Sequence, residues 1–546
     1  LICLSIAAPF LLSLSFGQNG LTDIPSTDPA VQQATFKLFE GAEINLFATD
    51  PQIKKPVHMN WDSQGRLWVV SSPLYPHIKP GQEELDQLII LEDADRDGVA
   101  EKSTVFAQDL HIPTGVLPGD GGVYVANSTE LIFLKDTDGD DREDERSVVL
   151  SGFGTEDTHH LLHTLRWGPE GMLWMNQSIY IHTHLETPYG IRRLMGGGTW
   201  YFRPETQRAE IYMKGLVNPW GHAFDQWGQS FLTDGAGGEG INYAFPHSVH
   251  VSSPGASRVI RGLNPGQPKH CGLEILTGRH IPEALDQVMA TPDFRGHRIN
   301  LFKLERKGSS YTSTQIADLA ASTHRAFRPI DIKMGPDGAI YVADWYNPII
   351  QHGEVDFRDP RRDHKHGRIW RISFPDRDLV DYPKIVGSSP EELVALLDAP
   401  EGWTREQATA ELRVRDDKAA VSQALEELTE PRQKVRAMWA EQALGNSPAE
   451  KAKAILAQID APAGAHCAAL RALYYDATTE DDFLTLAKKA LTYSDLQVRL
   501  WGVSLLSQLD HEDTVKIALG ALDGVEVDNN LDFAVWNICR LHADRW

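Results

Sequence analysis

One short pattern recurs along the first part of the chain and limits its fold more than any other feature. MNWDSQGRLWVV begins at Met59, GVLPGDGGVYVA at Gly115, HAFDQWGQSFLTD at His222 and DIKMGPDGAIYVADW at Asp331; DTHHLLHTLRWGPEGMLWMNQ, from Asp157 to Gln177, carries a fifth copy. Each copy is an alternating run, a tight turn rich in Gly with Asp or Pro, and a second run ending in aromatic or β-branched residues. Alternation with period two around such a turn reads as a β-hairpin. Copies recurring every roughly fifty residues read as propeller blades. A sixth region from Asp286, DQVMATPDFRGHRINLFKL, keeps the alternation without the turn. The expectation is a six-bladed β-propeller over 41–374, whose last blade includes HGRIWRIS (His366 to Ser373) and pairs with the first blade to close the ring. The stretch from Asn242 to Gln267 has no assignment, which leaves seven blades open.

After Pro375 the composition changes. PDRDLVDYPKIVGSSP reads as a linker (375–388), and residues 389–546 are Ala-, Leu- and Glu-rich with helical spacing, as in EELVALLDA, KVRAMWAEQAL and LQVRLWGVSLLSQL. Short amphipathic helices in pairs, with a period of about 35 to 40 residues, predict a HEAT-like α-solenoid. The chain stops at LHADRW without a polar capping helix, which reads as a truncation. At the other end LICLSIAAPFLLSLSFG (residues 1–17) resembles the apolar region and small-residue cleavage site of a secretory signal, clipped at its start. The expected location is periplasmic or extracellular. Residues 18–40 read as a linker, and no other segment is apolar enough to span a bilayer.

The chain has 546 residues, with 52 basic against 76 acidic side chains and a net charge of -24. A field of that sign repels nucleic acid and anionic membranes and excludes both as partners. None of the four cysteines forms CxxC or CxxCH, so a cysteine zinc site and a c-type haem attachment are excluded within this sequence. Cys3 lies in the leader, and Cys271, Cys467 and Cys539 are expected to be free thiols, mostly buried.

Two loops are acidic at alternating positions: DADRDGVAE, with Asp93, Asp95, Asp97 and Glu101, and DTDGDDRED, with Asp136, Asp138, Asp140 and Asp144. Alternate carboxylates of a tight loop converge on one hard cation, so calcium is expected in both as a structural pin. Thr104 and Ser147 stand where a bidentate Glu would complete such a loop, and Asp141 replaces the turn glycine of the second. The sharper signal is the run His159, His160 and His163 just before a strand. In a propeller, strand starts can sit at the axial funnel. A histidine oriented by a carboxylate such as Asp157 suits a general base, because its imidazole titrates near neutrality. Further polar groups come from other blades: Asn218 and Asp234, Lys269 and His270, Arg295, Arg325 and Arg328, Asp344, and the basic run RDPRRDHKH. At equivalent ends of several blades they would line one central pocket; as salt-bridged loop residues they would not.

HHLLHTLRWGPEGMLW, VNPWGHAFDQWGQSFLTDGAGG, PDFRGHR and HRAFRPIDIKMGPDGAIYVADW resemble the soluble quinoprotein glucose/sorbosone dehydrogenase propellers. From about residue 35 to the end, the chain more closely resembles the secreted propeller–HEAT proteins of planctomycetes and verrucomicrobia labelled membrane-bound dehydrogenases. In that group a c-type haem domain commonly follows the helices; it is absent from this sequence. The quinoprotein resemblance implies His160 as the base, with Asp157 beside it. It implies Asn218, Arg295, Arg325 and Arg328 as ligands of pyrroloquinoline quinone; His159, His163, Asp234, His270 and Asp344 are expected around the substrate from their places at the blade ends. The arginine that precedes the Asn-Pro pair in that group is Val217 here. Three functions stay open: a dehydrogenase of a sugar or polyol with a c-type cytochrome or haem domain as electron acceptor, a calcium-dependent lactonase-like hydrolase using Asn218, Asp234 and Asp344, and a non-catalytic carbohydrate- or protein-binding propeller with a solenoid arm.

Overall fold

A computed structural model describes residues 21–545 apart from 84, 237–239, 252–255, 265–268 and 477–479; the leader and Cys3 lie outside the described residues. Six antiparallel sheets stand around one axis, with the first strand of each blade innermost and packed beside the first strands of its neighbours. The innermost strands are Pro56–Trp61, Pro113–Gly119, His163–Trp167, Pro219–Phe224, Glu274–Ile275 and Pro329–Met334, for blades 1 to 6. Blades 1 and 2 have four strands each. Blade 3 adds a hairpin, His182–Thr187 with Gly190–Met195, between its second and third strands. Blade 4 has three strands, ending with Ile241–Ala244.

The ring closes differently from the expected pairing. Arg368–Ser373 is the third strand of blade 6, and its outer partner is Glu43–Thr49, the strand ahead of blade 1, in register from Glu43 opposite Ser373 to Thr49 opposite Arg368. Part of the stretch expected as a linker also belongs to the propeller. Phe36–Leu38 adds an outer strand to blade 5 by pairing with Ser310–Ser322. Pro29–Gln33 forms a short helix whose Gln32 is fully buried and donates to Asp344 at 2.6 Å.

Ten α-helices lie between Pro390 and Leu541 among the described residues. Gly402–Val414, Pro431–Ala443, Ala463–Tyr474, Leu496–Leu506 and Asn529–Leu541 form one row, each touching the next, and the shorter helices alternate outside it. This row lies against the end of the propeller where the innermost strands finish. Gln407 donates to the Trp61 carbonyl, Glu406 pairs with Arg166, and Trp501 donates to Gln229. Two core clusters run without a break from propeller strands into helices. Cys271 and Cys467 are buried and free, and Cys539 is partly buried.

At the centre of this junction Arg471 donates to Glu170 at 2.7 Å, with 0% and 1% of the two side chains exposed. The guanidinium also lies about 5 Å from the rings of Trp174, Phe224 and Tyr475. Removing one partner of such a pair leaves a charge without solvent or counterion. Arg471→Met is therefore expected to lower stability in urea unfolding by about 3–5 kcal/mol. The double variant Arg471→Met, Glu170→Leu is expected to recover most of that loss, because the orphaned charge is gone too.

Candidate functional site: an axial pocket

Four of the innermost strands begin with proline: Pro56, Pro113, Pro219 and Pro329. Proline at a strand's first position costs no ladder bond and presets the backbone angle at which the chain turns toward the axis. The residue after each proline, Val57, Thr114, Trp220 and Ile330, lines a pocket at this end of the axis. In blade 3 His163 takes the place of the proline and lines the same pocket. In blades 2, 4, 5 and 6 the entry to the innermost strand is fixed by an acceptor near the end of the second strand of the same blade. Asn127 accepts from the His111 amide, Asp234 from Val217 and Asn218, Asp293 from Lys269, and Asp344 from Arg328. Asp234 and Asp344 are thus fully buried blade clamps that stand behind the lining of this pocket.

The pocket is open to solvent at its mouth. Its walls are aromatic, with Tyr75, Trp220, Phe294 and Trp345, and among the described residues none of the lining is acidic. His159 lines it; its Nδ1 is 3.0 Å from Asp157 Oδ1, and its ring stacks on that of His352 at 3.9 Å. Asp157 holds His160 as well, with Oδ2 2.9 Å from Nδ1. His160 stands beside this lining, edge-on to Tyr180. Burial, reinforced by His352, pushes the His159 imidazole down to about 4, against the pull of Asp157. Burial also lowers His160 and takes His163 down to about 3. All three rings are therefore neutral near pH 7. Burial opposes the ionisation of Asp157, yet the His159 amide and both imidazoles hold its carboxyl below the ordinary range.

His163 has both ring nitrogens engaged, with Thr164 Oγ1 at 3.0 Å and Ser178 Oγ at 3.3 Å. Ser178 donates in turn to Asn218 Oδ1 at 2.7 Å. This relay directs the Asn218 amide nitrogen away from Ser178 and makes His163 a positioning group. Lys269 places its ammonium in the pocket wall, and burial together with Arg295 lowers its pKa.

The arginines expected as cofactor ligands are not among the lining residues of this pocket. Arg328 is buried behind the wall and donates to the carbonyls of Asn347, Phe294 and Pro348 at 2.8, 2.9 and 3.3 Å. Arg295 and Arg325 are exposed and outside the lining. His270 is buried against Asn300 and Phe302, also outside it. Trp220, Trp345, Phe294 and Tyr75 are contributors that the sequence did not single out, whereas Lys269 is among the polar groups expected at the pocket. Four of the wall positions were marked by the proline before them. Arg362 lines the pocket by its stem, while its guanidinium holds four backbone carbonyls of its own loop.

The acidic loops lie at the opposite end of the propeller. Carboxylate oxygens of Asp93, Asp95, Asp97 and Glu101 gather within 4.8 Å of one another, and those of Asp136, Asp138 and Asp144 do the same. Asp140 is outside the second group. Asp141 pairs with Arg66 and Lys102 of blade 1, so the residue in place of the turn glycine ties two blades together.

Fold and site define a six-bladed propeller with a pocket on its axis and a helical C-terminal region. The chain belongs to the family DUF7133, a domain of unknown function, which it matches over residues 28–376. No curated protein sequence matches it. Among solved structures it is similar to an oxidoreductase (glucose dehydrogenase) of Thermus thermophilus, at 17% identity and a TM-score of 0.44 over 61% of this chain and 99% of that one. It is also similar to the holo PQQ domain of pyranose dehydrogenase from Coprinopsis cinerea, at 11% identity and 0.44 over 62% and 97%. The PQQ-bound aldose sugar dehydrogenase of Streptomyces coelicolor gives 12% and 0.39 over 62% and 99%.

Asp157 is the group that raises the affinity of His159 for a proton against burial. Asp157→Asn is therefore expected to move the His159 midpoint below its value of about 4. Nitrogen-15 histidine NMR across an acid titration checks this; an unchanged or raised midpoint would contradict the pairing.

Proposed function

We propose that the chain oxidises a hydroxyl of a sugar or polyol in the axial pocket and hands the electrons to a haem-bearing partner. The observation that carries this reading is Asp157 holding a neutral imidazole, His159, at the wall of an aromatic pocket. Aromatic faces suit the apolar faces of a sugar ring. With Nδ1 turned to Asp157, His159 has Nε2 left to accept the hydroxyl proton. His160, the base implied by resemblance, shares the same carboxylate and stands next to this position. Asn218, oriented through Ser178, offers its amide nitrogen to a ligand oxygen.

A flat quinone that carries carboxylates fits this donor set with one cation: Lys269 and Asn218 would hold its oxygens, and Trp220 and Phe294 would face its ring. When bound, it supplies the acceptor for the two electrons and the hydrogen that leaves carbon. The lactonase reading draws less support, since Asp234 and Asp344 already accept backbone and side-chain donors. We further propose the kinship with the secreted propeller–HEAT dehydrogenases, export directed by residues 1–17, a HEAT-like reading of residues 389–546, and calcium in the two acidic loops. Among the described residues no helix is long and apolar enough to cross a membrane.

Protein loaded with calcium and pyrroloquinoline quinone is expected to reduce a redox dye with aldoses or polyols. His159→Ala is expected to lower turnover roughly 10²–10⁴-fold, the usual worth of a general base. Quinone absorbance without dye reduction on any polyol would overturn the oxidative reading in favour of a binding module. Calorimetric titration is expected to show calcium uptake that Asp95→Ala removes from the first loop and Asp138→Ala from the second. Uptake indifferent to both substitutions would contradict the assignment.

A further inference from the structure

The loop 345–367 supplies one side of the pocket, with Trp345, Gln351 and His352 among its contributions. Beneath it lies Lys55, which ends the connection into blade 1 and is 1% exposed. Its ammonium donates to the carbonyls of Trp345 at 2.6 Å and Tyr346 at 2.8 Å, lies 3.8 Å from Asp363 Oδ1, and stands 4.2 Å from the centre of the Trp345 ring. Four contacts to this loop, from a residue 290 positions away in sequence for the nearest of them, make Lys55 a tie between that wall and blade 1. A charged donor holds a carbonyl about twice as strongly as a neutral one, and only the cation attracts the indole face and Asp363.

We propose that Lys55 is a positioning residue of the axial pocket, whose charged form holds Trp345 and the loop behind it against the axis and whose neutral form lets that wall slacken. The inference rests on the pocket as the working site, but not on which molecule occupies it.

Lys55 titrates in the range where this matters. Burial pushes its pKa down to about 7, opposed by Asp363 and Asp344 and reinforced by Arg328. The other groups facing it are His364, which feels its charge, and His366, which pairs with Asp363 at 2.6 Å and keeps that carboxylate partnered when Lys55 is neutral. The global and local effects have opposite signs. Between about 7 and the ordinary value of 10.5 the unfolded chain binds the proton and the fold does not, so this group makes the fold more stable as pH rises through that window. The wall meanwhile loses its cation. A loosening of Trp345 on raising the pH is thus separable from any general weakening of the protein.

The test uses the full chain labelled with 5-fluorotryptophan, with the Trp345 fluorine resonance assigned by its loss in Trp345→Phe. From roughly pH 5.5 to 8.5, a span that brackets near-neutral titrations, the wild-type resonance is expected to shift with a midpoint near 7. In Lys55→Arg, which stays charged throughout, the resonance is expected to keep its low-pH position. In Lys55→Met it is expected to sit at the high-pH position at every pH. A wild-type resonance that does not move would overturn the proposal. So would a Lys55→Arg variant that shifts as the wild type does, since the titration would then belong to His352, His364 or His366. Wild type and Lys55→Arg decide the matter even if Lys55→Met does not fold.

Discussion

Everything in this propeller depends on one strand pairing. Glu43–Thr49 and Arg368–Ser373 come from opposite ends of the domain, and their ladder turns a row of six sheets into a closed ring. Until it forms, the innermost strands have no reason to converge, because each blade packs only on its two neighbours. The segment just ahead of the closing strand reinforces it. Gln32 reaches Asp344, and Phe36–Leu38 completes the adjacent blade, so blades 5 and 6 are both finished by residues from the start of the chain. A contact of such sequence separation forms late and against a large loop entropy, and its reward is the shared core of the whole ring.

The helical region relies on that ring in turn. Its inner row follows the underside from blade 1, where Gln407 meets Trp61, to blade 5, where Asp495 meets Arg306 and Asp528 receives Ser309. The contacts are polar at the margins and apolar in the middle, with Arg471 and Glu170 as a buried ionic centre among aromatic rings. The two regions consequently share one interior.

The blades were legible because a hairpin is a local object: alternation and a glycine turn suffice to mark it, and five copies did so. The closing strand was harder to read, since Glu43–Thr49 pairs across the whole ring and nothing near it in sequence names its partner. At the site, the cluster Asp157, His159 and His160 was legible from adjacency alone, and the structure brings it beside Asn218 and Lys269 at one end of the axis. The charged residues misled where charge serves the backbone. Arg328, Asp234 and Asp344 carry the residue types of a ligand site, yet their hydrogen bonds go to amides and carbonyls at strand entries. Sequence spacing cannot tell a side chain that meets a ligand from one that meets the main chain. The prolines could have helped, because the side chain that follows each of them is directed inward by the same turn.

The row of helices across the far end of the axis has a kinetic meaning. With helices packed against that end, the pocket opens at the opposite one, beside the loop 345–367. If a quinone and a substrate sit there one above the other, as proposed, the upper molecule must leave before the lower, and turnover would not require the deeper one to dissociate.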